Sequence, residues 1–295
     1  MKPMLLVNPP SPFLLDDKAF PALGILTVAA ELKRSGVPVT LLDLAGVRHY
    51  LLEAATLARE TKPHIVGITV NTPQMPYVAQ ILKVMRHESP ATHFLAGGPH
   101  ASLAPKHCLK AGFDQVVMDD GVSGISEALK HLSSPLIRGI PLPLDQHPWP
   151  ARELVDMNSY SYTLPGTGLK ATSVMWSFGC PFNCSFCCGR ELEFFRKLRV
   201  RPPTDIANEL AYLASHYGLM AFQIYDDEVN IRKSWLREVC SLIAKKGYQW
   251  RCFIKANLFD LETATGMAAA GCVEVCTGVE SGSNRILKEV IQKKT

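Results

Sequence analysis

Three cysteines, Cys180, Cys184 and Cys187, crowd into the run Ser177-Phe-Gly-Cys-Pro-Phe-Asn-Cys-Ser-Phe-Cys187. This Cys-x3-Cys-x2-Cys spacing constrains the chain more than any other feature, because one loop must present three thiols together. Three thiolates this close can hold three irons of a [4Fe–4S] cube, and Cys-ligated clusters serve redox chemistry. No fourth cysteine follows at matching ligand spacing, so one iron is left open to another ligand. Cys188 lies directly beside Cys187, and adjacent residues rarely point at one metal, so it reads as a small core residue. A zinc site and simple buried thiols are the competing readings. Zinc sites usually pair two Cys-x2-4-Cys knuckles, or one with histidines. Ferredoxin runs use Cys-x2-Cys-x2-Cys, a different spacing.

At 295 residues the chain is long enough for two ordinary domains or one large α/β domain. With 47% hydrophobic and 20% charged residues the composition is globular. The net charge of +4 is spread along the chain, and the densest basic stretch is Arg196-Lys-Leu-Arg-Val-Arg201. That stretch reads as a solvated face or a contact to an anionic ligand in preference to a nucleic-acid surface. The apolar run at the N-terminus is too short for a signal peptide. No segment reaches the ~18 apolar residues of a membrane span. Nine cysteines without an export signal point to a reducing compartment, hence to a cytoplasmic protein. Cys240, Cys252, Cys272 and Cys276 fall on apolar patterns and read as buried thiols.

The first half alternates short apolar strands with amphipathic helices. Strands are expected at 4–7, 39–42, 65–70, 94–96 and 115–118, and helices from Pro21 to Gly36 and at 50–62, 76–88 and 125–132. This order predicts a doubly wound, Rossmann-like parallel sheet covered on both faces. Such sheets bind ligands beyond the carboxyl ends of their strands. The strand ends here carry Asn8-Pro9-Pro10, Thr69-Val-Asn71-Thr72 and Gly97-Gly98, and a glycine pair lets a backbone approach a flat ligand closely.

These residues resemble the cobalamin-binding domain found at the N-terminus of many radical S-adenosylmethionine enzymes. The likeness rests on Val7-Asn-Pro-Pro10, Pro21-Ala-Leu-Gly24, Val66-Gly-Ile-Thr69 and Gly97-Gly-Pro-His-Ala101. It implies cobalamin contacts from Asn8, Pro9, Thr69, Asn71, Gly97, Gly98 and His100. Many such domains carry Asp-x-His-x-x-Gly after the first strand, whose histidine ligates cobalt. Here the place reads Asn8-Pro-Pro-Ser-Pro12, which implies a cobalt without a histidine from that loop. Where the family often has Gly-Glu-Gly-Glu after the fifth strand, this chain has Asp119-Asp-Gly-Val122.

Five prolines between Ser134 and Pro150 exclude a helix or a central strand. The expected organisation is therefore a first domain over 1–135, a proline-rich linker over 136–170 and a second domain over 171–295. In the second domain βα repeats four times, with strands near 173–176, 221–225, 249–255 and 273–277. This is the pattern of a β/α barrel, whose active site lies at the carboxyl ends of the strands. The polar residues sit there: the cysteines after strand one, Asp226 and Asp227 after two, Asn257 after three, Glu280 and Ser281 after four. An aspartate pair before a helix is also a common cap.

This half resembles the radical S-adenosylmethionine superfamily, on the cysteine run with Phe186 before its last cysteine. Tyr225-Asp-Asp-Glu-Val-Asn230 looks like the second-strand motif of the cobalamin-dependent branch. Gly278-Val-Glu-Ser-Gly-Ser283, with Ile286-Leu287 and Lys293-Lys-Thr295, looks like its fourth-strand motif. The resemblance implies a [4Fe–4S] cluster on the three cysteines and S-adenosylmethionine held by Phe186, Asp226, Asp227, Asn257, Glu280 and Ser281. It implies reductive cleavage of adenosylmethionine to a 5′-deoxyadenosyl radical, and in the cobalamin branch methyl transfer to an unactivated carbon or a phosphorus. The implied partners are a small-molecule or natural-product substrate and an electron donor such as flavodoxin or ferredoxin. The family's barrel has six strands against four here, so a C-terminally incomplete, partial TIM-like barrel is expected. A radical cyclisation without methyl transfer and a non-catalytic cobalamin carrier are the alternatives. A methylthiotransferase would need three further cysteines in the first half, where Cys108 stands alone.

Overall fold

The computed structural model describes residues 3–293, and the chain divides into two units. The first runs to Leu142 and includes His147–Tyr160; the second comprises Pro143–Gln146 and the chain from Ser161 onward.

The first unit carries strands β1 (Met4–Asn8), β2 (Val39–Asp43), β3 (Ile65–Thr69), β4 (His93–Gly97), β5 (Gln115–Asp119) and β6 (Leu136–Gly139). Its helices are α1 (Leu23–Arg34), α2 (Tyr50–Thr61), α3 (Met75–Glu88), the short α4 (Pro99–Leu103) and α5 (Pro105–Lys110), and α6 (Gly121–Lys130). The strands form one parallel sheet in the order β2-β1-β3-β4-β5-β6. Alternation along β1 shows why both faces must be covered. Met4 and Leu6 join Ile25, Leu32, Val117 and Ile125 on one side; Leu5 and Val7 join Val78, Ile81, Met85 and Phe94 on the other. Each such fully buried aliphatic side chain contributes roughly 1.5–3 kcal/mol over leaving it in water. The strand order reverses between β1 and β3, and a crevice opens at such a switch point beyond the strand ends. Asn8-Pro9 and Thr69–Thr72 flank it.

Strand β6 lies in the proline-rich stretch. It is an edge strand between Pro135 and Pro141, the position where missing N–H donors cost least. Helices α4 and α5 have no counterpart in the sequence pattern. Each is about one turn long and opens on a proline, too short for a 3.6-residue period to show.

In the second unit, β7 (Ala171–Val174), β10 (Ala221–Ile224), β11 (Gln249–Phe253) and β12 (Cys272–Cys276) form a parallel sheet in chain order. The flanks of the cysteine run, β8 (Ser177–Phe178) and β9 (Arg199–Val200), pair antiparallel. Helices α7 (Pro203–Tyr217), α8 (Lys233–Ile243) and α9 (Leu261–Ala269) make the crossovers. Consecutive parallel strands in sequence order are the start of a barrel wall. Beyond β12 a helix is expected from Asn284 to Lys293; the chain is helical over 284–290, with Ile286–Val290 wound as a π turn.

The structure departs from the sequence pattern at Arg201 and at two of the thiols. Arg201 is not a solvated or ligand-facing cation. It is 7% exposed, pairs with Glu209 and with Asp205 at 2.6 Å, and donates to Met175 O at 2.9 Å. A buried guanidinium needs this many acceptors, and α7 supplies two carboxylates one and two turns in. Cys272 and Cys276 are half-buried, while Cys240 and Cys252 are buried as expected. The two half-buried thiols lie on β12, the outer strand of its sheet. Among the described residues no helix is long and apolar enough to cross a membrane.

Candidate functional site

The cysteine loop leaves the carboxyl end of β7 and is folded on its own backbone. Gly179 has φ +96°, and a Cβ there would stand 2.5 Å from Lys197 O and 2.6 Å from Phe195 O. Cys180 N–H donates to Phe195 O at 2.9 Å, and Cys187 N–H to Cys184 O at 3.1 Å. Ser185 ties the loop to the turn after β12, its N–H donating to Ile291 O and its hydroxyl to Val290 O. Phe178 stacks on Phe194 and meets Phe195 edge-on, which gives the loop a dry wall. Replacing Gly179 with alanine is expected to cost about 2 kcal/mol or more, since both the positive φ and the backbone contact oppose a Cβ. Urea unfolding and iron uptake after reconstitution measure it; wild-type values for both would remove the argument.

Cys180, Cys184 and Cys187 are all half-buried. Burial pushes the Cys180 thiol up to about 11, with Glu228, Asp227 and Cys187 adding to the rise and a backbone N–H at Phe182 opposing it. Metal binding must therefore displace a proton there. Among the described residues, no three His, Cys, Asp or Glu side chains converge on a single-ion site. A cube holds its ligands at separate corners, so three thiols of one loop suit it without meeting at a point. Cys188 is exposed, contrary to its reading as a core residue. It opens the 3₁₀ turn Cys188–Glu191, and Gly189 takes the inward place against the Phe195 ring.

Beyond β10, Asp226 turns inward. It is 2% exposed; Oδ1 accepts Trp176 N–H at 2.7 Å and Oδ2 the Ser177 hydroxyl at 2.6 Å. Burial raises its carboxyl to about 7, against the pull of these donors. Asp227 accepts Gly179 N–H at 3.1 Å. Neither aspartate caps α8, whose N-cap position is Arg232; both bind the strand and loop that carry the cysteines.

Two charges beside the loop stand out. Lys255, two residues past β11, is 2% exposed, and its Nζ lies 4.1 Å from the centre of the Phe182 ring without a hydrogen bond. Glu228 has a buried carboxylate oxygen, also without a hydrogen-bond partner. Desolvation raises the Glu228 carboxyl, and Lys255 and Lys293 oppose the rise by their charge. Glu228 falls inside the Tyr225–Asn230 run with no role of its own there, and the residues flanking Lys255 do not set it apart. Only burial singles them out.

The remaining expected residues are dispersed. Phe186 is 57% exposed beside Cys187. Asn257 is exposed on the turn Ala256–Leu258. Glu280 has φ +60° and pairs with Lys293 at 3.2 Å, while the Ser281 hydroxyl accepts Ser283 N–H. Lys294 and Thr295, part of the expected fourth-strand motif, lie outside the described residues.

In the first unit the expected strand-end residues gather on one edge of the sheet. A Cβ on Gly97 would meet nothing within 4 Å, so a flat surface is open there; Gly98, at φ +96°, turns tightly against Thr69 and Val70. Asn8 donates to Asp43 at 2.8 Å beneath the buried Pro9. Asn71 and Gln74 form a capping box. His100 is buried with both ring nitrogens engaged, Nδ1 to Thr72 and Nε2 to His107, each at 2.9 Å. Asp120 caps α6 by accepting Val122 and Ser123 N–H, which accounts for the Asp119–Val122 turn.

A six-stranded parallel sheet with an open glycine edge, followed by βα repeats whose first strand ends in this cysteine loop, defines a class. Residues 18–129 match the family model described as B12 binding domain, and residues 174–295 that of the Radical SAM superfamily. The chain belongs to the radical SAM proteins that carry a B12-binding domain. It is 28% identical over 292 residues to the uncharacterized methyltransferase PH0819 of Pyrococcus horikoshii, covering 91% of this chain and 62% of that protein. It is 26% identical to the cytidylyl-2-hydroxyethylphosphonate methyltransferase of Streptomyces wedmorensis, covering 98% of this chain and 67% of the relative. Among solved structures, the cobalamin-dependent S-adenosylmethionine radical enzyme OxsB, with aqua-cobalamin and S-adenosylmethionine bound, superposes with a TM-score of 0.82 at 15% identity. That match covers 100% of this chain and 46% of OxsB, and at such identity it establishes the fold. The chain thus spans about half to two thirds of the proteins it matches.

Proposed function

We propose that this chain is the cofactor-binding part of a cobalamin-dependent radical S-adenosylmethionine methyltransferase, acting on an unactivated carbon or a phosphorus of a small molecule. Cys180, Cys184 and Cys187 would hold a [4Fe–4S] cluster. The glycine edge with Asn8, Thr69, Asn71 and Gly98 would hold cobalamin. When bound, the cluster supplies an electron to the sulfonium of adenosylmethionine and cobalamin a transferable methyl group.

The observation that carries the reading is the pair of opposite, unpartnered charges beside the cysteine loop, Glu228 and Lys255. An α-amino acid presents an ammonium and a carboxylate, and the pair offers one counter-charge to each. Charge-assisted hydrogen bonds of this kind are about twice as strong as neutral ones. Phe186 offers an exposed ring for the adenine, and Asn257, Glu280 and Ser281 offer polar groups at the later strand ends. Asp226 and Asp227 act on the cofactors through the loop they hold. His100 keeps its ring nitrogens on Thr72 and His107 and supports the glycine edge. An external one-electron donor, flavodoxin or ferredoxin, completes the set.

The test is anaerobic reconstitution with iron and sulfide, then dithionite and adenosylmethionine, with 5′-deoxyadenosine as the readout with and without cobalamin. Cleavage with cobalamin-dependent gain of one methyl mass in the product is expected. Cleavage without added mass would move the reading to radical cyclisation, and cobalamin binding with no cleavage would move it to a carrier.

A further inference from the structure

Lys255 is a buried cation whose countercharge is not among the side chains it touches. Its backbone is clamped on both sides by Asn230, which is 0% exposed: Lys255 N–H donates to Asn230 Oδ1 at 2.8 Å, and Asn230 Nδ2 donates to Lys255 O at 3.0 Å. Clamped there, and with its side chain 2% exposed, the ammonium does not reach out to water as surface lysines do. Among the described residues its close partner is the face of Phe182, two residues from both Cys180 and Cys184. A ring face offsets only part of the cost of drying an ammonium. The other charged groups around Glu228 are engaged elsewhere. Asp227 accepts from Gly179, and Lys293 binds Gly278 O and Glu280. Glu228 acts on Lys255 through charge but forms no hydrogen bond with it.

A cube bound by three thiolates is net negative and gains one more negative charge on reduction. A fixed cation in a dry site therefore favours the reduced form, since cluster potentials follow local charge and solvent exposure. We propose that Lys255 raises the reduction potential of the cluster held by Cys180, Cys184 and Cys187, and so makes its reduction easier for the electron donor. The inference rests on the cluster reading above. The step is a one-electron transfer: the external donor is oxidised and the cluster is reduced.

The test is a redox titration of the reconstituted protein without adenosylmethionine, followed by electron paramagnetic resonance of the reduced cluster. Wild type, Lys255→Met and Lys255→Arg are compared at equal iron content. Methionine keeps the length and packing and removes the charge. Lys255→Met is expected to shift the reduction equilibrium at least tenfold toward the oxidised cluster, which for one electron is about 59 mV more negative, while Lys255→Arg stays near wild type. If Lys255→Met takes up less iron, Lys255→Gln is titrated in its place with the same expectation. A full cluster with an unchanged midpoint in the uncharged variants overturns this inference alone. A wild-type chain that forms no [4Fe–4S] cluster overturns the cluster reading and this inference together.

Discussion

Replacing Cys184 with alanine is expected to abolish cluster assembly, so that the reconstituted variant gives no [4Fe–4S] absorbance, background iron and no 5′-deoxyadenosine. Cys184 is the middle of three half-buried thiols on a loop whose backbone is already fixed at Cys180, Ser185 and Cys187. The loop has no slack to bring another ligand forward. Losing an outer hydrogen-bond partner of a ligand costs roughly 10–100-fold in metal affinity, and losing a ligand itself costs more. Cys188 is the informative control. It is one residue from Cys187 yet exposed, and Cys188→Ala is expected to keep full iron content and cleavage. If Cys188→Ala lost the cluster while Cys184→Ala kept it, the ligand set would be wrong.

Asp226 produces the second large effect, on stability and its pH dependence. Asp226→Ala leaves Trp176 N–H and the Ser177 hydroxyl without their acceptor in a buried place, an expected loss of about 2–4 kcal/mol. Asp226→Asn resembles the protonated acid: it still accepts from Trp176 and can donate to Ser177 Oγ. The folded carboxyl sits near 7, above its ordinary 3.8, so the folded chain holds a proton that the unfolded chain releases. This contribution is fully present below about pH 4 and is lost as pH rises through about 7. Relative to Asp226→Asn, the wild type should therefore lose on the order of a few kcal/mol across that window. Urea midpoints of the two proteins from pH 4.5 to 8.5 decide the matter. A constant difference between them would mean that Asp226 does not titrate there.

Much of the fold was legible because parallel strands buried on both faces leave unbroken apolar runs. Met4–Val7 and Ile65–Ile68 are such runs, ending at Asn8 and Thr69. The cysteine loop was legible from spacing, and its place after a strand from the pattern around it. Elements shorter than their own period were not: one-turn α4 and α5, and the two-residue pair β8–β9. Side-chain direction was also hidden. That Asp226 points into the protein, that Asp226 and Asp227 both hold the cysteine loop, and that the His100 nitrogens engage Thr72 and His107 follow from no spacing in the chain.

The sequence by itself determined the two α/β halves, the polar residues at the strand ends, and the three thiols carried on one loop. These depend on local spacing, which the chain carries as written. Only the tertiary structure decided which charges go without a partner. Lys255 and Glu228 are separated by a helix and a strand, and nothing near either in sequence shows that Lys255 is buried or that one Glu228 oxygen is left without a donor. Their isolation arises when β10 and β11 pair and the cysteine loop folds over them, because desolvation depends on every atom that packs around a group and not on its neighbours in the chain.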